Sequence, residues 1–214
     1  MDEEITIINT NTRNEKINNF FQKNKKNLII IISIILISVI GFLSFEELEK
    51  INKIKLANEF NSAIIKYKPN KKAKTINQLT VIINKQDDTY SPLALYFLLD
   101  NNLIENQSEI NNLFDVLINK TDLENEIKNL IIYKKALYNS DFVEENELIK
   151  ILNPIINSES IWKSHSLYLL AEYFYEKNQK QKSKDFFNEI IKLNNSNIDI
   201  KLESEKRLNR DFSE

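Results

Sequence analysis

The chain is expected to be all-α: a single N-terminal transmembrane helix followed by a tetratricopeptide-like solenoid of helical hairpins. Three observations predict this. An uncharged apolar run of 18 residues lies near the start, Leu28 to Phe45. Beyond it, apolar residues recur at three- and four-residue spacing with turn signals between them, the pattern of amphipathic helices rather than strands. Finally, the second half of the chain repeats itself at offsets of 38 and 35 residues.

The apolar run decides the compartment of everything after it. As a helix rising about 1.5 Å per residue it spans roughly 27 Å, close to the hydrocarbon thickness of about 30 Å. Fourteen of its positions are Leu, Ile, Val or Phe, and at roughly −0.3 to −0.6 kcal/mol each they favour insertion over the small costs of Ser and Gly. A cleaved leader would have a short basic region, a shorter apolar run and a small-residue cleavage site. Here 27 residues precede the run and no such site follows. With no cysteine in the chain, a lipoprotein anchor has no attachment point. An uncleaved anchor is therefore favoured over a leader or the buried core helix of a soluble protein.

Orientation follows from the flanks. Arg13, Lys16, Lys23, Lys25 and Lys26 precede the span, whereas Glu46, Glu47 and Glu49 are the first charges after it. Positive residues stay on the cytoplasmic side, which predicts a cytoplasmic tail (1–27), a transmembrane helix (28–45), a helical spacer (46–70) and an exported domain (71–214). Lys50, Lys53 and Lys55 reduce the asymmetry.

The spacer helix should continue to about Tyr67 and break at Lys68-Pro69-Asn70. Helices are then expected near 71–85, 91–103, 108–119, 122–138, 144–157, 160–177, 180–194 and 197–209. Pro92 fits a first helical turn, where its missing N–H costs nothing. Pro154 should kink or end the helix that holds it.

The repeat fixes which residues correspond. Leu98, Ala136 and Ala171 align, as do Leu95, Tyr133 and Tyr168; Phe114, Leu152 and Phe187; Leu117, Ile155 and Ile190; and Ile118, Ile156 and Ile191. The last unit, LYLLAEYFYEKNQKQKSKDFFNEIIKLNN, has the tetratricopeptide spacing: Leu167, Leu170, Ala171 and Phe174 on a first helix, then Ser183, Phe187 and Ile190 on a second. Small residues allow paired helices to approach, and large ones fill the gap beside them. Ser183, Ile190 and Asn195 depart from the usual Ala, Ala and Pro. Most of the aromatics in this unit (Tyr168, Tyr173, Phe174, Tyr175, Phe186, Phe187) are expected to be core. In the usual geometry of this repeat, the first-helix positions facing the concave side are Leu95 and Leu99, then Tyr133 and Leu137, then His165, Tyr168, Glu172 and Tyr175. They form the expected partner-binding groove.

Composition removes several chemistries. The single glycine, Gly41, lies inside the span, so no glycine-rich phosphate loop can be written in the exported part. One His and no Cys remove His/Cys zinc sites, Cys nucleophiles and disulfides. Ser164 and Ser166 flank His165 in sequence and point away from it on a helix, which argues against a triad. The pairs Asp87-Asp88 and Glu144-Glu145 sit at helix starts, where capping is the ordinary role. The net charge is −2 with Lys and Glu interleaved, so no basic stripe suits nucleic acid, and Lys180, Lys182 and Lys184 read as a solvated face. No cofactor and no catalytic residue is expected.

Taken together, NTRNEKINNFFQKNKK before the span, YSPLALYFLL in the first unit and SIWKSHSLYLLAEYFYEKNQKQKSKDFFNEIIKLNN at the end resemble the ancillary SecYEG translocon subunit (YfgM-like) family of proteobacteria. Leu, Ile and Tyr here replace much of that family's alanine-rich helices. The resemblance implies a non-enzymatic role in the bacterial inner membrane beside the SecYEG translocon. It also implies a membrane-anchored periplasmic chaperone as partner and exported proteins as clients. Two other classes remain open: a tethered scaffold for another envelope complex, and a carboxylate-only enzyme, which would need two carboxyls about 5–10 Å apart across a cleft.

Overall fold

The computed structural model describes residues 2–212, and their side chains from Glu15 onward. Among the described residues there are nine α-helices and no strand. They are α1 (Asp2–Ile65), α2 (Lys72–Asn84), α3 (Tyr90–Asp100), α4 (Gln107–Lys120), α5 (Asn125–Asn139), α6 (Glu145–Ile156), α7 (Lys163–Glu176), α8 (Lys180–Lys192) and α9 (Ile198–Asp211). The chain forms two compact units, one running to Lys55 and a second beginning at Leu56.

The first unit is helical. Its apolar span is long enough to cross a membrane and none of it is buried; the large apolar side chains from Ile29 to Phe45 are between 49% exposed at Ile30 and 70% at Ile37. Apolar surface of that extent in water would be costly at about 25 cal/mol per Å², and a bilayer removes the cost.

The second unit starts earlier than the expected boundary at residue 71. Leu56, Phe60 and Ala63, spaced four and three apart on one face of α1, are buried in the same cluster as Leu79, Ile83, Leu95 and Leu98. Half of the expected spacer is thus part of the folded domain.

From α2 onward the helices pack as antiparallel neighbours: α2 with α3, α5 with α6, and α7 with α8, while α4 joins α5, α6 joins α7 and α8 joins α9. In the α5–α6 and α7–α8 hairpins the second helix buries one narrow stripe. In α8 this is Ser183, Phe187 and Ile190, and in α6 it is Leu148, Leu152 and Ile155. α7 is buried more widely because α6, α8 and α9 all pack on it. Two of the aligned columns keep their environment throughout: Phe114, Leu152 and Phe187 are each wholly buried, and so are Leu117, Ile155 and Ile190.

A domain without glycine must end its helices by other means. Gln86, Asn102 and Asn178 take left-handed φ angles of 58°, 48° and 59° just past α2, α3 and α7. At two of these ends the bonds complete a Schellman motif: Leu103 N–H to Leu98 C=O with Asn102 N–H to Leu99 C=O, and Gln179 N–H to Phe174 C=O with Asn178 N–H to Tyr175 C=O. At the third, the buried Ser91 hydroxyl donates to Ile82 C=O (2.9 Å) and accepts from Asp87 N–H (2.9 Å), relaying the bond that the backbone does not make. Pro92 falls in the first turn of α3, and α6 stops two residues beyond Pro154.

Candidate functional site

The carboxylate pairs separate in role. Asp87 Oδ1 accepts the N–H groups of Thr89 (3.0 Å) and Tyr90 (2.6 Å) and so caps α3. Glu144 makes no capping bond. Glu145 instead accepts from Gln179 (2.9 Å) and Lys182 (3.0 Å), tying α6 to α8 and holding its pKa below the usual carboxylate value, chiefly through the Gln179 bond and then Lys182. Lys182, expected in a solvated face, also lies 5.0 Å from the Phe174 ring centre.

The eight expected groove residues fall into three environments. Leu95 is wholly buried and Leu99 packs against the same cluster. Leu95 therefore offers no surface to a partner, because α3 packs on α2 and shares its core with the end of α1.

The last unit is covered as well. α9 lies against α7 and α8, and Arg207 on it donates from Nε and Nη2 to the two carboxylate oxygens of Glu172, both at 2.7 Å. The same guanidinium pairs with Asp211 and lies 4.4 Å from the Tyr175 ring centre. Phe212 meets Tyr175 edge-on at 5.7 Å, and Tyr168 meets Phe187 at 5.6 Å. Burial, then the neighbouring Glu172 charge, pushes the Tyr168 phenol up to about 12. Glu172 and Tyr175 thus bind the terminal helix, and Tyr168 packs on Phe187 of α8, instead of lining an open groove. Arg207 was not visible as their partner in the sequence, since α9 is a strongly polar helix with no repeat counterpart to align.

Tyr133 and His165 do come together. Tyr133 stacks on Trp162 with centroids 5.8 Å apart, and His165 lies 6.0 Å from Tyr133 and 5.1 Å from Trp162. Burial among these rings depresses the His165 pKa and raises that of Tyr133. Leu137, one turn beyond Tyr133, is half exposed.

An open apolar cleft lies instead between α3 and the start of α5. It measures about 390 Å³, and its lining is mainly apolar: Pro92, Leu93 and Tyr96 from α3, with Leu123, Ile127 and Leu130 opposite. Asp88, Thr89 and Glu124 complete it. The sequence reading started α5 at 122, but the helix begins at Asn125. Glu124 is the N-cap, its carbonyl accepting Lys128 N–H, and Thr121 turns back to donate to Val116 C=O. That delay places Leu123 and Glu124 beside α3. α5 packs on α7 and α7 on α9, whereas α3 and α5 do not form such a pair, and the cleft occupies the gap. Leu93 and Ile127 are 42% and 40% exposed. Such surplus apolar residues, off the buried stripe of their helices, were the signal available in the sequence. The Tyr96 hydroxyl is buried without a partner and burial pushes it up to about 12, with Lys134 4.6 Å from the ring centre.

A second opening of about 440 Å³ is polar, lined by Gln107, Asn111, Lys135 and Asn139 among others. Asn111 and Asn139 exchange amide hydrogen bonds at 2.9 and 2.8 Å, and Gln107 adds a third at 3.1 Å. These amides satisfy one another, so they account for the packing of α4 on α5.

No protein-family model, curated protein or solved structure matches this chain.

Proposed function

We propose that the chain is a non-enzymatic, membrane-anchored interaction protein of the bacterial inner membrane, with its N-terminus in the cytoplasm and its helical-hairpin domain in the periplasm. Within that class, it serves as an ancillary subunit of the SecYEG translocon, working beside a membrane-anchored periplasmic chaperone on exported client proteins. The observation that carries the reading is the joining, in one chain, of an uncovered membrane-length helix to a hairpin array that holds an open apolar cleft. Helical arrays present such surfaces to partner segments, and a tether confines the encounter to the membrane surface, raising the effective concentration of anything held there. The sequence resemblance supplies the translocon and the chaperone.

Crosslinking in intact membranes tests this. A photoreactive residue at Leu93 or Leu137, and a second at Leu48, should give adducts with translocon subunits or a membrane-anchored chaperone. Adducts confined to respiratory or outer-membrane assembly complexes would replace the translocon assignment with a tethered scaffold.

A further inference from the structure

We infer that the stretch just before the span, Lys16 to Lys26, docks on anionic phospholipid headgroups, with Phe20 and Phe21 as its apolar contact. The inference rests on the reading of the apolar run as a membrane span, and adds to it the class of lipid that the chain selects.

Helical spacing supports it first. The stretch belongs to α1. Ile17, Phe20, Phe21 and Asn24 lead in this row to Leu28, the first residue of the span, at intervals of three and four residues that keep them on one helix face. Ile17, Phe20 and Phe21 are all about half exposed, and the two rings meet edge-on with centroids 6.1 Å apart, forming one apolar knob. The Asn24 amide donates to Phe20 C=O (3.0 Å), so its polar group is turned onto its own helix. The stripe is therefore continuous with the span, and the surface nearest to it is the bilayer.

Charge selects the lipid. No Asp or Glu lies between Lys16 and Phe45, so no carboxylate stands within a turn of Lys23, Lys25 or Lys26. On the helix, Lys16 and Lys23 flank the stripe on one side and Lys25 on the other, whereas Glu15, the nearest acid, falls on the opposite face. Cations beside a Phe-bearing stripe mark a helix that lies in the membrane interface, and a lysine cluster next to a span meets the negative potential of an anionic leaflet. A zwitterionic surface lacks that field. A second copy of the chain would bring the same lysines and be repelled.

Reach decides what docking requires. Along an upright helix axis, Phe21 stands about 10 Å and Ile17 about 16 Å before Leu28, beyond a headgroup layer about 5–8 Å deep. The rings leave water only when the stretch leans onto the surface. Asn24 and Asn27, poor helix formers, lie where it must lean.

The experiment reads that lean. The chain has no cysteine, so Ile17→Cys takes a single nitroxide label in the full chain, reconstituted at one chain per nanodisc. Spin-label collisions with a neutral nickel chelate, which surface charge does not repel, are compared in phosphatidylcholine discs and in discs with one-third phosphatidylglycerol. Nickel access should fall at least threefold in the anionic discs. Lys16, Lys23, Lys25 and Lys26→Gln together should abolish the difference, and Phe20→Ser with Phe21→Ser should restore access in the anionic discs to the phosphatidylcholine level. Equal access in the two discs overturns the inference, as does shielding that survives either set of substitutions. Shielding seen only with two chains per disc assigns the stripe to a second copy and also overturns it. A label at Ser38→Cys, inside the span, separates the two readings. If Ser38 is closed to nickel in every disc while Ile17 shows no difference, the span stands and the lipid inference falls alone; if nickel reaches Ser38, the span reading falls and takes the inference with it.

Discussion

Gln86 holds a left-handed backbone, φ 58°, in a domain that has no glycine to place there. A Cβ in that region costs about 1–2 kcal/mol, partly offset in a Gly replacement by about 0.5–1 kcal/mol of extra unfolded-state entropy. Gln86 is exposed, so no packing is lost. Gln86→Gly should therefore raise unfolding free energy by up to about 1 kcal/mol, read as a shift in the urea midpoint without a change in slope. His165 gives a second prediction at this scale. Its pKa in the fold is lowered by burial against Tyr133 and Trp162, so the unfolded chain binds its proton first. Stability from this group is complete above the unfolded value, about 6.5, and falls as pH drops below it towards the folded pKa. The difference in melting temperature between wild type and His165→Gln, measured at pH 7.5 and at pH 5.5, should change in that direction. A difference that does not vary with pH would mean that the imidazole is solvated.

Among the elements, the helices were legible in the sequence, α9 included, but the packing role of the terminal helix was not. The columns through Phe114, Leu152 and Phe187 could be found because each is a large apolar side chain at the same place in the period, and all three are wholly buried. Phe187→Ala should cost roughly 3–5 kcal/mol, a large share of the 5–15 typical of a domain, and a melting shift of only a degree or two would contradict the packing. α9 has no such column. It seals the array through one guanidinium that serves Glu172, Asp211 and the Tyr175 ring at once. Its role depends on tertiary geometry, which hydrophobic periodicity does not encode. The Arg207 side chain is only 9% exposed, so Arg207→Ala leaves Glu172 facing aromatic rings with no cation. The loss should be roughly 1.5–3 kcal/mol, the range for hydrogen bonds to charged groups, and hydrogen exchange should show α9 opening before α7. Uniform protection across both helices in the variant would show that α9 is held by Ile200, Leu208 and Phe212 alone. The cleft was not read from the sequence: Leu93 and Ile127, apolar residues off the buried stripes, were the available signal, and the late start of α5, which brings Leu123 and Glu124 beside them, is set by the Thr121 turn.

For the whole molecule, the proposed membrane anchoring raises the question of which side of the bilayer the hairpin domain would occupy. The apolar span is uncovered over its length, and the charges around it are uneven: Lys23, Lys25 and Lys26 lie within five residues before Leu28, and Glu46, Glu47 and Glu49 come directly after Phe45. Orientation responds to Lys and Arg near the span and hardly to acidic residues, so the three lysines must outweigh Lys50, Lys53 and Lys55 beyond it. They sit two to five residues from the apolar boundary, against five to ten on the other side, and the attraction to anionic headgroups, about 1 kcal/mol per Lys or Arg, falls within a Debye length of about 8 Å. A reporter active only outside the cytoplasm, fused after the last residue, should therefore be active in the wild type. Replacing Lys23, Lys25 and Lys26 by Gln should reduce that activity and give a mixed population, because the remaining bias then favours Lys50, Lys53 and Lys55. An inactive wild-type reporter at normal expression would put the hairpin domain in the cytoplasm. That result would remove the periplasmic chaperone as a partner while leaving the α3–α5 cleft to a cytoplasmic one.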